Sequence, residues 1–248
     1  MNLFNYISDL FFPPQCIFCE KSLPLAHRPM ICGDCGETLI SDEIRCPKCD
    51  GIVLPDSNLL PVCDTCRIAG RYYDGAVFVF DYHDKVRDAI HRFKLSRQLY
   101  AGSQLAQILA KRIRDAGISR FNTDVVINVP SDRRRNISRG FDSGGFIAAE
   151  VAKNLHIHHA QKPVVRIKDI ERQSSLSNSK RQENVRGAFK VSNPDFVRGK
   201  KILLVDDVIT TGATVTEISR VLRRAGAAYI FVAAVARTTK RIGNSEND

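Results

Sequence analysis

Four pairs of cysteines near the amino terminus most constrain what this chain can fold into. Each pair has the C-x-x-C spacing, and all eight cysteines lie within the first 66 of 248 residues. A C-x-x-C turn points two sulfurs at one tetrahedral ion, so two pairs complete one site. The spacing therefore predicts two structural Zn²⁺ sites. Because cysteine takes every position, no place is left for a catalytic water.

Taken in order, the pairs predict two sites. The first holds Cys16, Cys19, Cys32 and Cys35, and the second Cys46, Cys49, Cys63 and Cys66. The two pairs of the first site are separated by 12 intervening residues and those of the second by 13, which suggests an internal repeat. A cross-braced pairing stays open, whereas redox-active dithiols are disfavoured because no βαβ pattern surrounds the pairs. Residues 14–69 hold few large apolar side chains, so metal must supply the folding energy that so small a core cannot.

The composition is that of a soluble globular protein, 44% apolar and 26% charged, which excludes disordered, collagen-like and membrane-spanning chains. Thirty-seven Lys and Arg against 27 Asp and Glu give a net charge of +10, enough to attract phosphates, nucleic acid or an anionic surface. Two four-cysteine zinc sites, each with a net charge of −2, would lower this value to +6.

The amino-terminal residues MNLFNYISDLFF predict a cytoplasmic, reduced protein. They contain no basic residue and no small-residue cleavage site, so we expect no signal peptide. They are also too few to span a bilayer, which needs about 20 residues. The pattern predicts a helix over residues 1–13 that packs on the cysteine region or docks a partner. Its apolar face holds Leu3, Phe4, Ile7, Leu10 and Phe11.

From Arg71 onward strand and helix signals alternate, which is typical of an α/β sheet. Strands are predicted over residues 75–82, 124–130, 163–167, 188–191, 201–208 and 228–236. Helices are predicted over residues 84–94, 102–116, 142–155 and 217–226. The predicted organisation is a helix at 1–13, a double zinc ribbon at 14–69, an α/β domain at 71–241 and a flexible tail at 242–248.

The most informative segment is LLVDDVITTGAT, residues 203–214, where a buried strand ends in Asp206 and Asp207 and continues through a Thr-Gly loop into a helix. Ligands of open α/β sheets bind at the carboxyl ends of strands, and a helix N-terminus offers backbone N–H groups to a phosphate. We expect the acids to accept hydrogen bonds from sugar hydroxyls or to lie near Mg²⁺. The residues expected to hold a 5-phosphate are Thr210, Thr211, Gly212, Ala213 and Thr214.

Simpler readings of this segment fit less well. It has neither the G-x-x-x-x-G-K-[ST] pattern of a Walker A loop nor the G-x-G-x-x-G of a dinucleotide fingerprint. The acids could merely cap a helix. Two like charges beside an apolar strand are costly, however, unless they are solvated, paired or metal-bound.

Residues 203–214 resemble the phosphoribosyl-pyrophosphate (PRPP) signature of type I phosphoribosyltransferases. Together with the four C-x-x-C pairs, VPSDRRRNISRGF at 129–141 and QSSLSNSKRQENVRGAF at 173–189, nearly the whole chain resembles the ComF family of competence proteins. The resemblance implies an α/β fold with a parallel-rich sheet flanked by helices behind a small zinc-ribbon module. It also implies that Mg²⁺ accompanies PRPP, and that Asp206, Asp207 and residues 210–214 bind its ribose and 5-phosphate.

Two further segments are candidates for the rest of PRPP. Its pyrophosphate needs cations, and the loop after strand 124–130 offers Arg133, Arg134, Arg135 and Arg139, which could instead belong to a solvated basic face or a nucleic-acid patch. The polar stretch 168–186 is expected to be a mobile lid over PRPP. Within it Gln173, Arg181 and Asn184 match the family pattern.

The chain also departs from that pattern, in ways that bear on the acceptor pocket. Asp142 and Ser143 stand where Asn-Gln is usual, Ile170 stands in place of Thr, and the stretch around Lys94 reads FKLSRQ. No general base is identifiable. The histidines at 83, 91, 156, 158 and 159 fit surface or capping roles better.

Two functions are therefore open. One is magnesium-dependent transfer of phosphoribosyl from PRPP to an unidentified acceptor. The other, implied by the family, is a non-catalytic, PRPP-regulated module that binds single-stranded DNA or a helicase-like partner during natural transformation. Phe18 is the only aromatic residue in 14–69, so base stacking on the ribbons is expected to be weak.

Overall fold

The structure is a computed structural model that describes residues 13–24, 30–39, 46, 49–50, 66, 72–117, 123–132, 137, 140–168 and 183–238. Several expectations concern residues outside these ranges. They are the helix at 1–13 except for its last residue, the tail, Cys63, Arg133, Arg134, Arg135, Arg139, Gln173 and Arg181.

A four-stranded parallel sheet forms the centre of the α/β domain. Its strands, in the spatial order β1-β6-β5-β2, are β1 (Gly75–Asp81), β2 (Val125–Asn128), β5 (Lys201–Ile209) and β6 (Tyr229–Arg237). A separate antiparallel pair consists of β3 (Val164–Arg166) and β4 (Phe189–Val191). The inner strands β5 and β6 are almost continuously apolar, as expected for a parallel sheet covered on both faces. The predicted fold class is confirmed.

Helices cover this sheet. They are α1 (Gly33–Leu39) in the cysteine region, then α2 (Asp84–Ser96), α3 (Leu99–Asp115), α4 (Ser143–Leu155), α5 (Pro194–Val197) and α6 (Ala213–Arg224). Helix α6 begins four residues before the predicted start at Glu217. Gly212 takes a left-handed φ of 77° at its N-cap, so the helix starts directly after it. None of the helices within the described ranges is long and apolar enough to cross a bilayer.

The two faces of the sheet bury separate apolar clusters. On one face α2, α3 and α4 pack over the sheet through Phe93, Leu109 and Ile147. On the other face α6 contributes Ile218 and Leu222. Both clusters extend into the cysteine region, so the sheet domain and the cysteine region share a core.

This shared core corrects one expectation about the cysteine region. Ile17, Phe18 and Met30 are buried in the same cluster as Phe80 and Phe93. The Phe18 ring, 2% exposed, stands edge-on to Phe80 with centroids 5.0 Å apart. The cysteine region therefore gains apolar burial from the α/β domain, and metal need not supply all of its folding energy.

Candidate functional site

The cysteines lie in two groups along the chain. The sulfurs of Cys16, Cys19, Cys32 and Cys35 lie within 4.8 Å of one another, and those of Cys46, Cys49 and Cys66 do so separately. This arrangement matches the sequential pairing and not a cross-braced one. Cys63, the expected fourth member of the second group, lies outside the described residues.

The first group fits a bound dication. Burial alone would raise the pKa of Cys16, but backbone N–H groups of Cys32, Cys19 and Phe18 lower it to about 7. Burial, together with the neighbouring Cys32 and Cys19, raises the pKa of Cys35. Closely packed sulfurs, one of them readily deprotonated and another completely buried, are donors that suit a structural metal ion.

Two cations of the α/β domain face these sulfurs. Lys85 Nζ lies 4.0 Å from Cys35 Sγ. Arg237, the last residue of β6, donates to Cys49 O at 2.5 Å and lies 3.5 Å from Cys49 Sγ. A four-cysteine zinc centre is an anion, so these contacts have the sign that would stabilise it.

The acid pair lies at the carboxyl end of β5, where the sequence predicted it. Asp207 is 8% exposed, and both of its carboxylate oxygens accept hydrogen bonds. Lys94 Nζ donates to Oδ1 at 2.7 Å, and Ser143 Oγ donates to Oδ2 at 2.9 Å. Asp207 is thus joined to the end of α2 and to the first residue of α4.

Asp206 has a different electrostatic environment. Burial raises its pKa well above the usual range, and the Asp207 and Asp142 carboxylates raise it further, while Lys94 lowers it. The carboxylate also accepts the Asp207 backbone N–H at 2.8 Å. Burial and the neighbouring acids disfavour the charged form of Asp206, so the site favours a bound cation or hydroxyl donors that offset this cost.

The loop after the acids has the shape of an anion-binding turn. Thr210 is exposed, Thr211 and Gly212 are partly exposed, and α6 starts at Ala213. Ala213 N–H donates to Thr211 Oγ1 at 3.4 Å. N–H groups in the first turn of a helix have no intrahelical acceptor, so this turn offers donors beside the acids.

The loop after β2 returns to the same place. Val129 N–H donates to Val205 O at 2.9 Å, next to the acid pair. The loop ends at Asp142, the N-cap of α4, which accepts from Gly145 N–H at 3.1 Å and from Ser131 Oγ at 3.0 Å. The arginines predicted for pyrophosphate belong to this loop but lie outside the described residues.

Gly140 brings the end of α2 against the same loop. It has a φ of 73°, and a Cβ atom there would overlap the Arg97 guanidinium. The backbone conformation therefore favours glycine, whereas the long Arg97 side chain could move aside for a larger residue. Arg97 follows Lys94 by three residues, so the carboxyl end of α2 lies between the acid pair and Gly140.

The end of the polar stretch is fastened to α6. Glu217 Oε1 accepts from Gly187 N–H at 2.7 Å, and Arg220 donates to both Glu217 carboxylate oxygens at 2.6 and 2.7 Å. Asn184, one of the predicted lid residues, lies three residues before Gly187 and is partly exposed. The predicted lid therefore ends at a fixed point on the helix that follows the anion-binding turn.

Sequence reasoning assigned no site role to Lys94, Ser143 or Glu217. Lys94 and Ser143 do stand where the chain departs from the family pattern, and that was the available signal. Of the candidate histidines, His83 is the N-cap of α2 and His156 is the C-cap of α4.

The comparisons with known proteins agree with this geometry. The phosphoribosyl transferase domain family matches residues 98–248, more than half of the chain, so this is a phosphoribosyltransferase-domain protein. The chain is 32% identical to DNA utilization protein YhgH of Shigella flexneri over 233 residues, covering 92% of this chain and 99% of that protein. It is 30% identical to Competence protein F of Haemophilus influenzae over 241 residues, 96% of this chain and 99% of that protein. The chain belongs to the ComF family.

Proposed function

We propose that the chain binds PRPP with Mg²⁺ at the carboxyl ends of β2 and β5 and acts in DNA uptake during natural transformation. The observation that carries the proposal is the acid pair at the tip of β5. It is followed by a left-handed Gly212 and a helix start, inside the region that matches the phosphoribosyl transferase domain.

The proposed roles follow from the chemistry of PRPP. Asp206 and Asp207 accept hydrogen bonds from the ribose hydroxyls, and residues 210–214 hold the 5-phosphate. Arg133, Arg134 and Arg139 bind the pyrophosphate, while Gln173, Arg181 and Asn184 belong to a lid that excludes water. When bound, Mg²⁺ would neutralise the charge of the pyrophosphate.

We also propose that each cysteine group holds one structural Zn²⁺. The eight ligands would be Cys16, Cys19, Cys32 and Cys35 in one site and Cys46, Cys49, Cys63 and Cys66 in the other. The close approach of the described sulfurs supports this assignment.

The test of PRPP binding is calorimetric titration of the full chain with PRPP and Mg²⁺. We expect a saturable heat for the wild type and its loss in D206A and in D207A. D195N changes an exposed acid on α5 that has no proposed role in the site, and this variant should bind PRPP like the wild type. No binding by a folded, zinc-loaded wild type would refute the proposal.

Catalysis is tested separately by pyrophosphate release. Transfer from PRPP breaks the bond between C1 and the pyrophosphate oxygen and forms one to an acceptor, so pyrophosphate should appear only when an acceptor is present. If PRPP binds but no base, amine or nucleotide mixture releases pyrophosphate, PRPP serves as a regulatory ligand and the chain is a binding module.

The relatives' names, DNA utilization protein and Competence protein F, favour a role with DNA or a DNA-handling partner. In this second candidate function the basic surface binds single-stranded DNA, or a helicase-like protein that carries it. Lys and Arg contacts to phosphates make affinity fall steeply with salt. A gel shift at increasing ionic strength tests this role, and a shift insensitive to salt would contradict it.

A further inference from the structure

The Asp207 carboxylate, which is expected to bind the ribose, already accepts hydrogen bonds from two side chains. Lys94 Nζ and Ser143 Oγ take the two oxygens of Asp207, at 2.7 and 2.9 Å. A carboxylate can accept about four hydrogen bonds, but Asp207 is only 8% exposed, so a sugar hydroxyl binds beside these two donors and crowds them.

We propose that Lys94 is a ligand-discriminating residue of the PRPP site: it pairs with Asp207 until the sugar arrives and then contacts the pyrophosphate. This proposal rests on the proposed function, because it names a further residue of the same site.

Lys94 is the donor able to move. Ser143 is the first residue of α4 and follows the capping residue Asp142, so the helix start fixes its short side chain. The lysine ammonium, in contrast, ends a flexible four-carbon stem, and 16% of the side chain is exposed. When a ribose hydroxyl crowds Asp207, Lys94 is therefore the donor that can give way.

The backbone that carries Lys94 stays in place during this exchange. The adjacent Phe93 is 0% exposed and packs against Phe141 and Phe146, with ring centroids 5.5 and 5.6 Å apart. The residue before Phe93, Arg92, donates to Ile17 O at 2.8 Å and pairs with Glu20 at 3.1 Å. Helix α2 is thus held on both sides, and only the lysine side chain needs to rotate.

The displaced ammonium lies on the pyrophosphate side of the site. Arg97, the C-cap residue of α2, stands against Gly140 in the loop that carries the predicted pyrophosphate arginines. The anion-binding turn for the 5-phosphate lies instead beyond Asp207, at residues 210–214. Lys94 should therefore respond to the group on C1 and not to the 5-phosphate.

Comparing two ligands tests this inference. PRPP and ribose 5-phosphate differ only in the pyrophosphate at C1. Dissociation constants of both, with Mg²⁺, are measured by calorimetry for the wild type, K94M, K94Q and K94R, and for K111M, an exposed lysine on α3. In K94M and K94Q we expect the preference for PRPP over ribose 5-phosphate to fall about 10-fold or more. K94R should keep most of that preference, and K111M should match the wild type.

Each other outcome overturns the proposal. If PRPP and ribose 5-phosphate weaken by the same factor, Lys94 only positions Asp207. If neither affinity changes in K94M and K94Q, the ion pair does not bear on binding. If K94R loses the preference for PRPP over ribose 5-phosphate, the positive charge has no role in it. A wild type that binds neither ligand would instead refute the proposed function itself.

Discussion

The cysteine region and the phosphoribosyltransferase domain are ordered by different interactions. In the domain, strands β5 and β6 bury apolar side chains on both faces of one sheet. In the described part of the cysteine region, the regular structure is the seven-residue α1, and the cysteine sulfurs gather in two close groups. One region encodes its fold in apolar runs and the other in the spacing of cysteines.

The contacts between the two regions show that they are not structurally independent. Gln104 Oε1 accepts from Met30 N–H at 3.2 Å, and Arg92 binds the turn between Cys16 and Cys19 through Ile17 O. Asp50, beside Cys49, accepts from Phe78 N–H of β1 at 2.6 Å. The region with the smaller core is thus tied to the domain at its backbone. Because Arg92 and Lys94 both lie on α2, the order of the cysteine region also bears on the PRPP site.

The largest effect is expected when a cysteine ligand is removed. C35S takes one sulfur from a group whose members lie within 4.8 Å. Since structural zinc stabilises small modules by about 10 kcal/mol or more, the first module should unfold and zinc content should fall from two ions per chain to one. Zinc analysis and thermal unfolding measure this effect.

The matched control is K21A, an exposed position in the same module. It should keep both ions and the unfolding temperature of the wild type. A C35S protein that keeps two ions per chain would mean that the first cysteine group does not act as one four-sulfur site.

The next largest effect should come from the link at Asp50, which is 5% exposed and pairs with both Phe78 N–H and Arg112. D50G leaves a buried N–H without its acceptor and should lower the free energy of unfolding by about 3 kcal/mol. Glycine suits the φ of 52° at this position, so backbone strain does not contribute. Denaturant unfolding measures the loss.

D50N isolates the role of the charge. Its amide oxygen can still accept from Phe78 N–H, so the loss should be about 1 kcal/mol. Equal stability of D50G and D50N would show that this hydrogen bond does not hold the cysteine region to the domain.

The sequence predicted the regular parts of the fold because they are local. β5 and β6 are continuous apolar runs, and their predicted bounds are within one residue of the observed ones. The prediction failed where the local sequence signal is weak, at the start of α6 and at the short helix α5. The helix was predicted to start at Glu217, yet α6 starts at Ala213 because Gly212 caps it. The four-residue α5, started by Asn193, was too short to give a periodic signal.

The candidate site divides in the same way. Asp206, Asp207 and the turn at 210–214 are contiguous, so their shared position could be read from twelve letters. The contact between Lys94 and Asp207 spans 113 residues, and that between Ser143 and Asp207 spans 64. Only the packing of α2 and α4 against β5 brings these donors together, and no local pattern encodes that packing.

A smaller effect is expected from crowding the contact between α2 and α3. A methyl group at Gly102 would overlap the buried Phe93 ring and lie 3.0 Å from Phe146. G102A should therefore lower the free energy of unfolding by about 1–3 kcal/mol. It should also weaken PRPP binding, because Phe93 adjoins Lys94.

The opposite sign is expected for G36A in the cysteine region. The nearest atom to a methyl group there is Ile31 Cγ2 at 4.0 Å, so the change should stabilise α1 by about 0.5–1 kcal/mol. Thermal unfolding of both variants measures the pair. A G102A protein as stable as the wild type would mean that α2 and α3 separate readily.

The last effect, which depends on pH, should come from the loss of a buried ion pair that involves no metal. Arg220 and Gly187 N–H lower the pKa of Glu217 against the opposing effect of burial, so this group stabilises the fold when ionised. E217Q should cost about 1–2 kcal/mol at pH 7.

A folded pKa below the unfolded value of about 4.3 means that this stabilisation is present above pH 4.3 and is lost as pH falls through the folded pKa. Subtracting the unfolding free energies of wild type and E217Q at each pH cancels the acid loss of zinc from the cysteine region, which both proteins share. The difference should be constant from pH 6 to 8 and shrink below about pH 4. The exposed D195N is the control and should differ little from the wild type at any pH. A difference for E217Q that does not depend on pH would mean that Glu217 acts through packing and not through its charge.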